Sequence, residues 1–280
     1  MNPISGGKSK SHVPDLIKKH LDHGKFTFDI YWWKVVEGLP NAIVDFAKKG
    51  GYAVVAVGGD GTINSVVASI YRTDLRLAII PQGSGNGFAR ELKISRSIPT
   101  ALQQLNQAAE RKLDIGLMND RVFINVAGWG FDAKVSHTFS TITKRGLRSY
   151  AKAIMSDYGG STNLEYKMLS DGESTSHKAF MLSVANGRQW GNNFFMAPKA
   201  SLSDGILDVV YLKKPRLHEI IWLVCCLYFR MPNRLITRVQ TRKSTVTLTK
   251  PIYTHFDGEP ADKVSEVRIE VVPGALNILV

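Results

Sequence analysis

Two glycine-rich segments, each directly after a short apolar run, have the composition of loops that bind phosphate. Gly58–Thr62 (GGDGT) follows the run AVVAV, and Gly83–Gly87 (GSGNG) follows LAIIP. Glycines let a backbone approach phosphate oxygens closely, and loops at the carboxyl ends of parallel strands form the ligand crevice of open α/β sheets. Each loop also leads into a predicted helix, whose unpaired N–H groups attract anions. One such loop is equally well explained as an ordinary tight turn, but two in tandem favour a phosphate-binding edge.

An acidic residue sets the first loop apart from the common nucleotide-binding loops. Neither loop has the G-x-x-x-x-G-K-[ST] pattern, and neither has G-x-G-x-x-G with an acidic residue about 20 positions later, so a Rossmann dehydrogenase is disfavoured. Asp60 lies between glycines, where a carboxylate would repel phosphate unless a metal ion or a proton transfer employs it. We therefore expect Asp60 to take part in chemistry and to contribute little to packing.

Other polar residues give weaker signals when they are taken alone. Asp257–Glu259 (DGE) has the composition of a hairpin turn in a strand-rich region, and Asp204 lies in a simple Asp-Gly turn within SLSDGIL. His20 and His23 lie three residues apart on a predicted surface helix without a Cys/His cluster, so a zinc site is not expected.

The elements that must position the two loops follow an α/β pattern. The sequence predicts helices at Val13–His23, Leu39–Lys49 and Ile63–Tyr71, and strands at Phe26–Tyr31, Ala53–Val57 and Leu77–Pro81. The continuous apolar run AVVAV predicts a strand buried on both faces of a parallel sheet. The chain opens without the apolar strand that usually begins such a domain, so we expect the first sheet to be incompletely formed.

After the segment LDIG at Leu113–Gly116 the pattern changes to strands. Segments such as VFINVAGW, LEYKML and ILDVVYL carry the β-branched and aromatic residues of an antiparallel sheet, with helices predicted around Leu147–Asp157 and Leu217–Phe229. We predict an α/β domain over residues 1–114 and a β-rich domain over residues 115–280. A return of the C-terminal segment to the first domain remains an open alternative.

The amino-acid composition excludes a disordered chain and argues against a disulfide-stabilised scaffold. The 280 residues carry a net charge of +12, and 44% of them are apolar, so the chain can bury a core and disorder is excluded. Its two cysteines, Cys225 and Cys226, are adjacent, which argues against a disulfide framework and indicates a reducing, intracellular setting. The longest apolar stretch, Ile220–Phe229, is half of the roughly 20 residues that span a bilayer. The positive charge alone is compatible with an anionic membrane, a phosphate-rich substrate or nucleic acid.

The predicted helix Leu217–Phe229 has two interpretations. It is either a core helix with a basic border, or an interfacial helix whose aromatic residues lie at lipid headgroups. The basic residues on either side of it are Lys213, Lys214, Arg216, Arg230, Arg234 and Arg238.

Seven segments in a fixed order resemble a known family. They are NPISGGKSK, VGGDGTINSVV, IIPQGSGNGFAREL, LDIG, FINVAGWGFDAKV, MAPKASLSDGILDVV and FDGEP. Together they resemble the catalytic domain of the diacylglycerol and sphingosine lipid kinases, above all the soluble bacterial members, over essentially the whole chain. GGDG alone is shared with NAD kinases and is less specific. The resemblance implies an N-terminal three-layer α/β nucleotide-binding domain followed by a C-terminal antiparallel β-sandwich-like lipid domain.

The resemblance also implies an activity and a set of site residues. ATP and Mg²⁺ would be the cofactors, and the γ-phosphoryl group would pass to a lipid hydroxyl in a cleft between the domains. The catalytic carboxylates would be among Glu259, Asp257 and Asp60. Glu259 or Asp257 is the first choice as base, and Asp60 is the rival, with positioning of Mg²⁺ as its other role. Asp204, with the main-chain carbonyls of Ser201 and Ile206, would hold a structural Mg²⁺. The nucleotide contacts would be Gly58, Gly59, Asp60, Gly61, Thr62, Asn64, Ser84, Gly85 and Asn86.

Two departures from the family pattern leave the adenine-side contacts and the lipid substrate open. Tyr31–Lys34 occupies the place where many relatives have a threonine that contacts ATP, and Asn186–Asn193 replaces a glycine triplet beside the expected lipid cleft. A diacylglycerol-like lipid alcohol is the first expectation. The alternatives are a sphingoid base, NAD, or a non-catalytic regulator that binds nucleotide or lipid. We expect a cytoplasmic protein, a homodimer being possible, that contacts anionic membrane peripherally and does not bind nucleic acid.

Overall fold

The computed structural model describes residues 1, 10–33, 36–140, 154–170, 172–191 and 193–280. The chain divides into two compact units, Met1–Leu113 with Gly274–Val280, and Asp114–Pro273. Helices are α1 (Val13–His20), α2 (Leu39–Lys48), α3 (Asp60–Ile70), α4 (Gly87–Glu91), α5 (Ile98–Asn106), α6 (Phe131–Ser140) and α7 (Leu217–Phe229). Strands are β1 (Ala53–Gly58), β2 (Arg76–Pro81), β3 (Glu110–Met118), β4 (Arg121–Phe123), β5 (Val126–Gly130), β6 (Leu164–Ser170), β7 (Glu173–Ala179), β8 (Met181–Ala185), β9 (Gln189–Gly191), β10 (Phe194–Phe195), β11 (Leu207–Leu212), β12 (Ile236–Thr241), β13 (Lys243–Phe256) and β14 (Glu259–Leu279).

A parallel sheet lies at the centre of the first unit. β1 pairs with β2 in parallel from Ala53 opposite Arg76 to Gly58 opposite Pro81, and the end of β14 runs parallel to β2 on its other side. Helices α1 and α5 pack together, and α3 packs on both β1 and β2. The apolar cluster under α1 and α5 consists of Val13, Ile17, Leu21, Val57, Ile80, Ile98 and Leu102.

Strand β1 is less buried than its apolar run predicts. Val55 is 37% exposed, and β2 is the strand that pairs with β1 in the described part of the chain. The predicted strand Phe26–Tyr31 is wrong, because this segment forms no regular secondary structure, although its residues alternate between half-buried and exposed. An open cavity of about 940 Å³ is lined by this segment, by β1 and by α2. Among the described residues β1 is therefore the outermost strand of this sheet, and one side of it is partly open.

Helix α3 begins at Asp60, three residues before the predicted start. Gly59 has an extended backbone (φ −96°, ψ −172°), and its carbonyl oxygen accepts the N–H of Ile63 over 3.0 Å. The loop residues Asp60–Thr62 therefore form the first turn of the helix, because glycine and aspartate, which favour loops elsewhere, are tolerated at a helix N-terminus. The unpaired N–H groups of that turn belong to the glycine-rich segment itself.

The second unit is built on an antiparallel sheet. The strand order is β14, β13, β5, β8, β11, β12, and β6 and β7 extend it beside β13. Its core includes the buried side chains of Trp129, Tyr166, Leu182, Val209, Val246 and Ile269. The sequence missed β7, because its polar residues (ESTSHKA) lack the strand pattern and most of them are exposed. Of the predicted helix Leu147–Asp157, residues 147–153 lie outside the described residues, and residues 154–158 are helical.

Candidate active site

The two glycine-rich loops lie against each other at the carboxyl ends of β1 and β2. The N–H of Gln82 donates to the carbonyl oxygen of Gly58 over 2.7 Å, which carries the strand pairing into the loops. A Cβ atom added to Gly83 would lie 2.5 Å from the Cα of Gly59, which is closer than a side chain allows. Glycine at both positions therefore lets two main chains touch, and the two loops form one edge.

Asp60 fastens the first loop to the second. Its Oδ2 accepts the N–H of Gly87 over 3.0 Å, and its Oδ1 accepts the N–H of Phe88 over 3.1 Å. Burial raises the pKa of the Asp60 carboxyl above its ordinary value, and these N–H donors oppose the rise because they favour the charged form. The expectation that Asp60 contributes little to packing is therefore wrong, since its carboxylate satisfies the first N–H groups of α4.

The second loop is shaped from within by Asn86. This residue has a left-handed backbone (φ 50°, ψ 46°) and is buried. Its Oδ1 accepts the N–H of Gly83 over 2.8 Å, and its Nδ2 donates to the carbonyl oxygen of Gly83 over 2.7 Å. The side chain of Asn86 is thus committed to the loop, whereas the side chain of Ser84 is exposed.

The predicted nucleotide-binding residues all lie on these loops and at the beginning of α3. Thr62 is buried, and its Oγ1 would lie 2.4 Å from a Cβ atom added to Gly58, so the threonine packs directly over that glycine. Gly61 and Asn64 are half-buried in α3. The full set is Gly58, Gly59, Asp60, Gly61, Thr62, Asn64, Ser84, Gly85 and Asn86.

Asp257 and Gly258 form the two-residue turn between β13 and β14. Both have positive φ (50° and 86°), and Phe256 pairs with Glu259 across the turn, as in the tight hairpins that Asp-Gly favours. The Asp257 carboxylate accepts three main-chain N–H groups, over 2.9, 2.8 and 3.0 Å. Its donors are Ile124, Asn125 and Val126. Asp257 therefore ties the start of β5 to the hairpin turn, whereas Glu259 is exposed.

A buried polar cluster lies beneath this turn. The Oδ2 of Asp132 is 2.9 Å from Nε2 of His255 and accepts the hydroxyl of Ser183 over 2.8 Å. The N–H of Gly258 donates weakly to Nδ1 of His255 over 3.4 Å, so we assign the proton on the ring to Nε2. No local sequence signal predicts this cluster, since Asp132 and His255 are 123 residues apart.

Three buried amide oxygens lie near the same turn. Nδ2 of Asn186 donates to the carbonyl oxygens of Asp114 and Ile124, each over 2.9 Å, and Nδ2 of Asn125 donates to the carbonyl oxygen of Gln189. The side-chain oxygens of Asn125, Asn186 and Gln189 are buried without a hydrogen-bond partner among the described residues. Buried acceptors without donors are uncommon, and they are suited to a ligand that brings hydroxyl or ammonium groups.

The turn that contains Asp204 is partly stabilised by its own polar groups. Oδ1 of Asp204 accepts the N–H of Ile206 over 3.1 Å, and Oγ of Ser201 accepts the N–H of Ser203 over 3.3 Å. Asp114, which lies in the segment LDIG, accepts the N–H of Gly205 over 2.6 Å.

These groups fit Mg²⁺ as oxygen donors. Burial raises the pKa of Asp208 and the charge of Asp204 raises it further, whereas the charge of Arg238 and a hydrogen bond from Gln240 oppose the rise. No group of three or more His, Cys, Asp or Glu side chains with the geometry of a metal site occurs in the described ranges. A Mg²⁺ ion at this turn would have as its predicted ligands the carboxylate of Asp204 and the carbonyls of Ser201 and Ile206, which is a modest set for a hard ion.

Comparison with known proteins defines the family. Residues 1–118 match the diacylglycerol kinase catalytic domain, and residues 125–280 match the YegS C-terminal NAD kinase beta sandwich-like domain. The chain belongs to this lipid kinase family, which confirms the resemblance seen in its sequence motifs. The α/β first part and β-rich second part that the sequence predicts are confirmed as well.

Individual relatives agree with this assignment. A probable YegS-like lipid kinase of Pseudomonas aeruginosa is 31% identical over 86% of this chain and 81% of that protein. The diacylglycerol kinase of Bacillus subtilis is 28% identical over 92% of this chain and 88% of its own length. A crystal structure of a diacylglycerol kinase from Bacillus anthracis shares the fold with a TM-score of 0.75, at 20% identity over 99% of this chain and 94% of that one. An NAD kinase from Archaeoglobus fulgidus shares the fold more distantly, with a TM-score of 0.51 at 14% identity over 98% and 91% of the two chains.

Among the helices in the described part of the chain, none has both the length and the apolar character that a membrane crossing requires.

Proposed function

We propose that this protein transfers the γ-phosphoryl group of ATP to the hydroxyl of diacylglycerol or a similar lipid alcohol. The observation that carries the proposal is the pair of glycine-rich loops that touch at Gly59 and Gly83 and are fastened by Asp60. Such an edge offers main-chain N–H groups and little steric bulk to phosphates, which a nucleotide triphosphate requires. Membership of a lipid kinase family supports the lipid hydroxyl as acceptor.

In this proposal the main-chain N–H groups of the loops and two side-chain hydroxyl groups bind the phosphates. The N–H groups in the first turn of α3 are suited to bind the nucleotide phosphates, because a helix N-terminus favours negative charge. Ser84, with its exposed side chain, and Thr62 add hydroxyl donors. Asp60 and Asn86 hold the loops in position, so their contribution includes preorganisation of the phosphate site.

Glu259 is the residue that we assign as general base. Both oxygens of Asp257 and of Asp60 already accept main-chain N–H groups, whereas Glu259 is exposed on the same hairpin turn. Glu259 accepts the proton of the lipid hydroxyl while the hydroxyl oxygen forms a bond to the γ-phosphorus. The bond from the γ-phosphorus to the bridging oxygen breaks, ADP leaves, and Glu259 returns its proton to water.

Mg²⁺ would enter in two ways. When bound with ATP it screens the charge of the phosphates. A second ion would be held by Asp204 and the carbonyls of Ser201 and Ile206, where it would stabilise the turn before β11.

One observation favours a second candidate substrate. The buried oxygens of Asn125, Asn186 and Gln189 require hydrogen-bond donors. A sphingoid base brings an ammonium group and more than one hydroxyl, whereas diacylglycerol brings one hydroxyl. Phosphorylation of a sphingoid base is therefore the alternative that these residues support, and it would use the same glycine-rich loops and Glu259.

A labelled-phosphate transfer assay tests the proposal. Purified protein is incubated with ATP, Mg²⁺ and, in separate reactions, diacylglycerol, a sphingoid base or NAD. We expect the wild-type protein to form a labelled lipid. The Glu259→Gln variant should form none, although it still binds ATP. Transfer to NAD alone, or ATP binding without transfer to any acceptor, would overturn the proposal in favour of an NAD kinase or a non-catalytic regulator. A protein that uses a lipid in this way is expected to act in the cytoplasm at a membrane surface.

A further inference from the structure

Helix α7 presents an apolar face to solvent. Its exposed residues are Leu217 (65% exposed), Ile221 (76%), Trp222 (58%), Val224 (44%), Tyr228 (49%) and Phe229 (66%). At 3.6 residues per turn these positions cover roughly half of the helix circumference, and His218 is the one polar residue within that arc. A helix on a protein surface ordinarily presents polar residues to water. We call these six residues the α7 face.

The other side of the helix anchors it to the second unit. Leu223, Cys226 and Leu227 are buried. Leu223 and Leu227 belong to an apolar cluster that also contains Phe180, Met181, Met196, Val210 and Leu212. The interpretation of this segment as an ordinary core helix is therefore wrong, because a core helix would bury the face that α7 leaves exposed.

The surroundings of the α7 face are strongly basic. Residues 213–238 contain six basic residues and a single acidic one, Glu219. That carboxylate is already engaged, since it accepts the N–H of Arg216 and the guanidinium of Arg234, each over 2.8 Å. Lys213 and Arg216 have exposed side chains before the helix, and Arg230 and Arg234 are exposed after it. The charge around the face thus complements an anionic surface.

We propose that the α7 face docks on the surface of an anionic phospholipid bilayer. This inference rests on the proposed function, because a kinase must reach a lipid substrate from the bilayer surface. An apolar helix face flanked by basic residues matches the pattern of helices that lie in the headgroup region. Trp222 and Tyr228 add rings with one polar group, which is the side-chain type enriched at that depth. At 13 residues, α7 is suited to lie on the membrane.

Vesicle co-sedimentation tests the proposal directly. Wild-type protein should bind vesicles of phosphatidylcholine containing about a third phosphatidylglycerol, bind pure phosphatidylcholine poorly, and lose binding as salt rises. Ile221→Ser/Trp222→Ser should weaken binding at least about tenfold, because two large apolar side chains no longer leave water. The control is Val44→Ser on α2 in the first unit, since Val44 is 46% exposed and comparable with Val224 at 44%.

Two further measurements test whether Trp222 enters the membrane and whether the basic residues before α7 contribute to binding. Tryptophan fluorescence should shift to shorter wavelength on vesicle binding in the wild type, and Trp222→Phe should abolish most of the shift while it retains binding. Lys213→Ser/Arg216→Ser should weaken binding to anionic vesicles without loss of helical circular dichroism. Lys214 is left unchanged in this variant because its Nζ donates to the carbonyl oxygen of Ser161 over 2.6 Å.

The possible results separate this inference from the proposed function. Loss of phosphorylation of vesicle-embedded lipid in Ile221→Ser/Trp222→Ser, with activity on a detergent-dispersed lipid retained, would support both. Vesicle binding by a wild type that phosphorylates no lipid would support docking and refute the function. Binding that ignores lipid charge and salt, or that is unchanged in the double variant, would overturn the docking proposal. A dimer in solution that dissociates in the double variant and does not bind vesicles would assign the face to a second copy, and would also overturn it.

Discussion

Asp257 and Glu259 are separated by a single residue, Gly258, yet we expect their amide variants to have different defects. Asp257 accepts three main-chain N–H groups, two on Oδ1 and one on Oδ2. Asp257→Asn keeps the oxygen that accepts the N–H groups of Asn125 and Val126, and places an amide NH₂ group against the N–H of Ile124. Glu259→Gln changes an exposed side chain. Stability should therefore fall in the first variant, whereas turnover alone should fall in the second.

The size of the effect follows from the number of bonds. A hydrogen bond to a charged acceptor contributes about 1.5 kcal/mol at the lower end of its range, which suits a half-buried carboxylate. Asp257→Asn loses one such bond and its charge, so we expect a loss of roughly 2 kcal/mol in the free energy of unfolding. Asp257→Ala loses all three, and we expect roughly 4 kcal/mol. Asparagine also tolerates the left-handed backbone at this position, which alanine does not.

Thermal unfolding followed by near-ultraviolet circular dichroism is the assay. At roughly 2–4 °C per kcal/mol for a domain of this size, Tm should fall by about 4–8 °C in Asp257→Asn and about twice that in Asp257→Ala. Asp262→Asn, an exposed change on the same hairpin, is the control and should leave Tm unchanged. The reasoning is refuted if Asp257→Ala is as stable as the wild type, or if Glu259→Gln loses as much stability as Asp257→Asn.

Three further predictions concern the glycine-rich loops and the acidic turn. Asp60→Ala should reduce phosphoryl transfer by roughly three orders of magnitude and also lower Tm, because two N–H groups of α4 lose their acceptor. A fully active variant in a radiolabel assay would show that this loop is not part of the active site. Gly83→Ala should abolish ATP binding in calorimetry, because its methyl group would meet the main chain of Gly59 at 2.5 Å, and normal binding would show that the loops can separate. Asp204→Asn should lower the pKa of Asp208 in a carboxyl carbon NMR titration, since a like charge is removed, and Mg²⁺ should lower it in the wild type. Because the pKa of Asp208 is raised, the folded chain binds this proton more tightly than the unfolded chain does. The free energy of unfolding should therefore fall as pH rises from the ordinary aspartate range through the raised pKa, and Asp204→Asn should reduce that fall. A pH profile that is unchanged in Asp204→Asn would show that the two carboxylates do not interact.

The local sequence was sufficient to predict those elements and motifs that depend on neighbouring residues. The apolar runs before the two glycine-rich loops predicted β1 and β2, and the bounds of α7 at Leu217–Phe229 agree with the predicted helix. The ordered motifs identified the family, because each combines turn residues and apolar residues in a fixed order. The polar composition of β7 and the apolar alternation of Phe26–Tyr31 misled the prediction, since strand formation depends on a partner strand that the local sequence does not specify.

Tertiary structure decided which hydrogen bonds the acidic residues make and which of them is exposed. Asp60, Asp257 and Glu259 are all acidic residues beside glycines, and the sequence motifs favoured Glu259 or Asp257 over Asp60 as the base without separating the first two. The fold brings main-chain N–H groups from other segments onto Asp60 and Asp257 and leaves Glu259 exposed. The donors to Asp257 are 131 to 133 positions away in the sequence, so these hydrogen bonds depend on how the strands pack. The apolar composition of α7 was likewise visible in the sequence. Which side of the helix faces the core was not, because burial on a helix of apolar residues is determined by the sheet on which it packs.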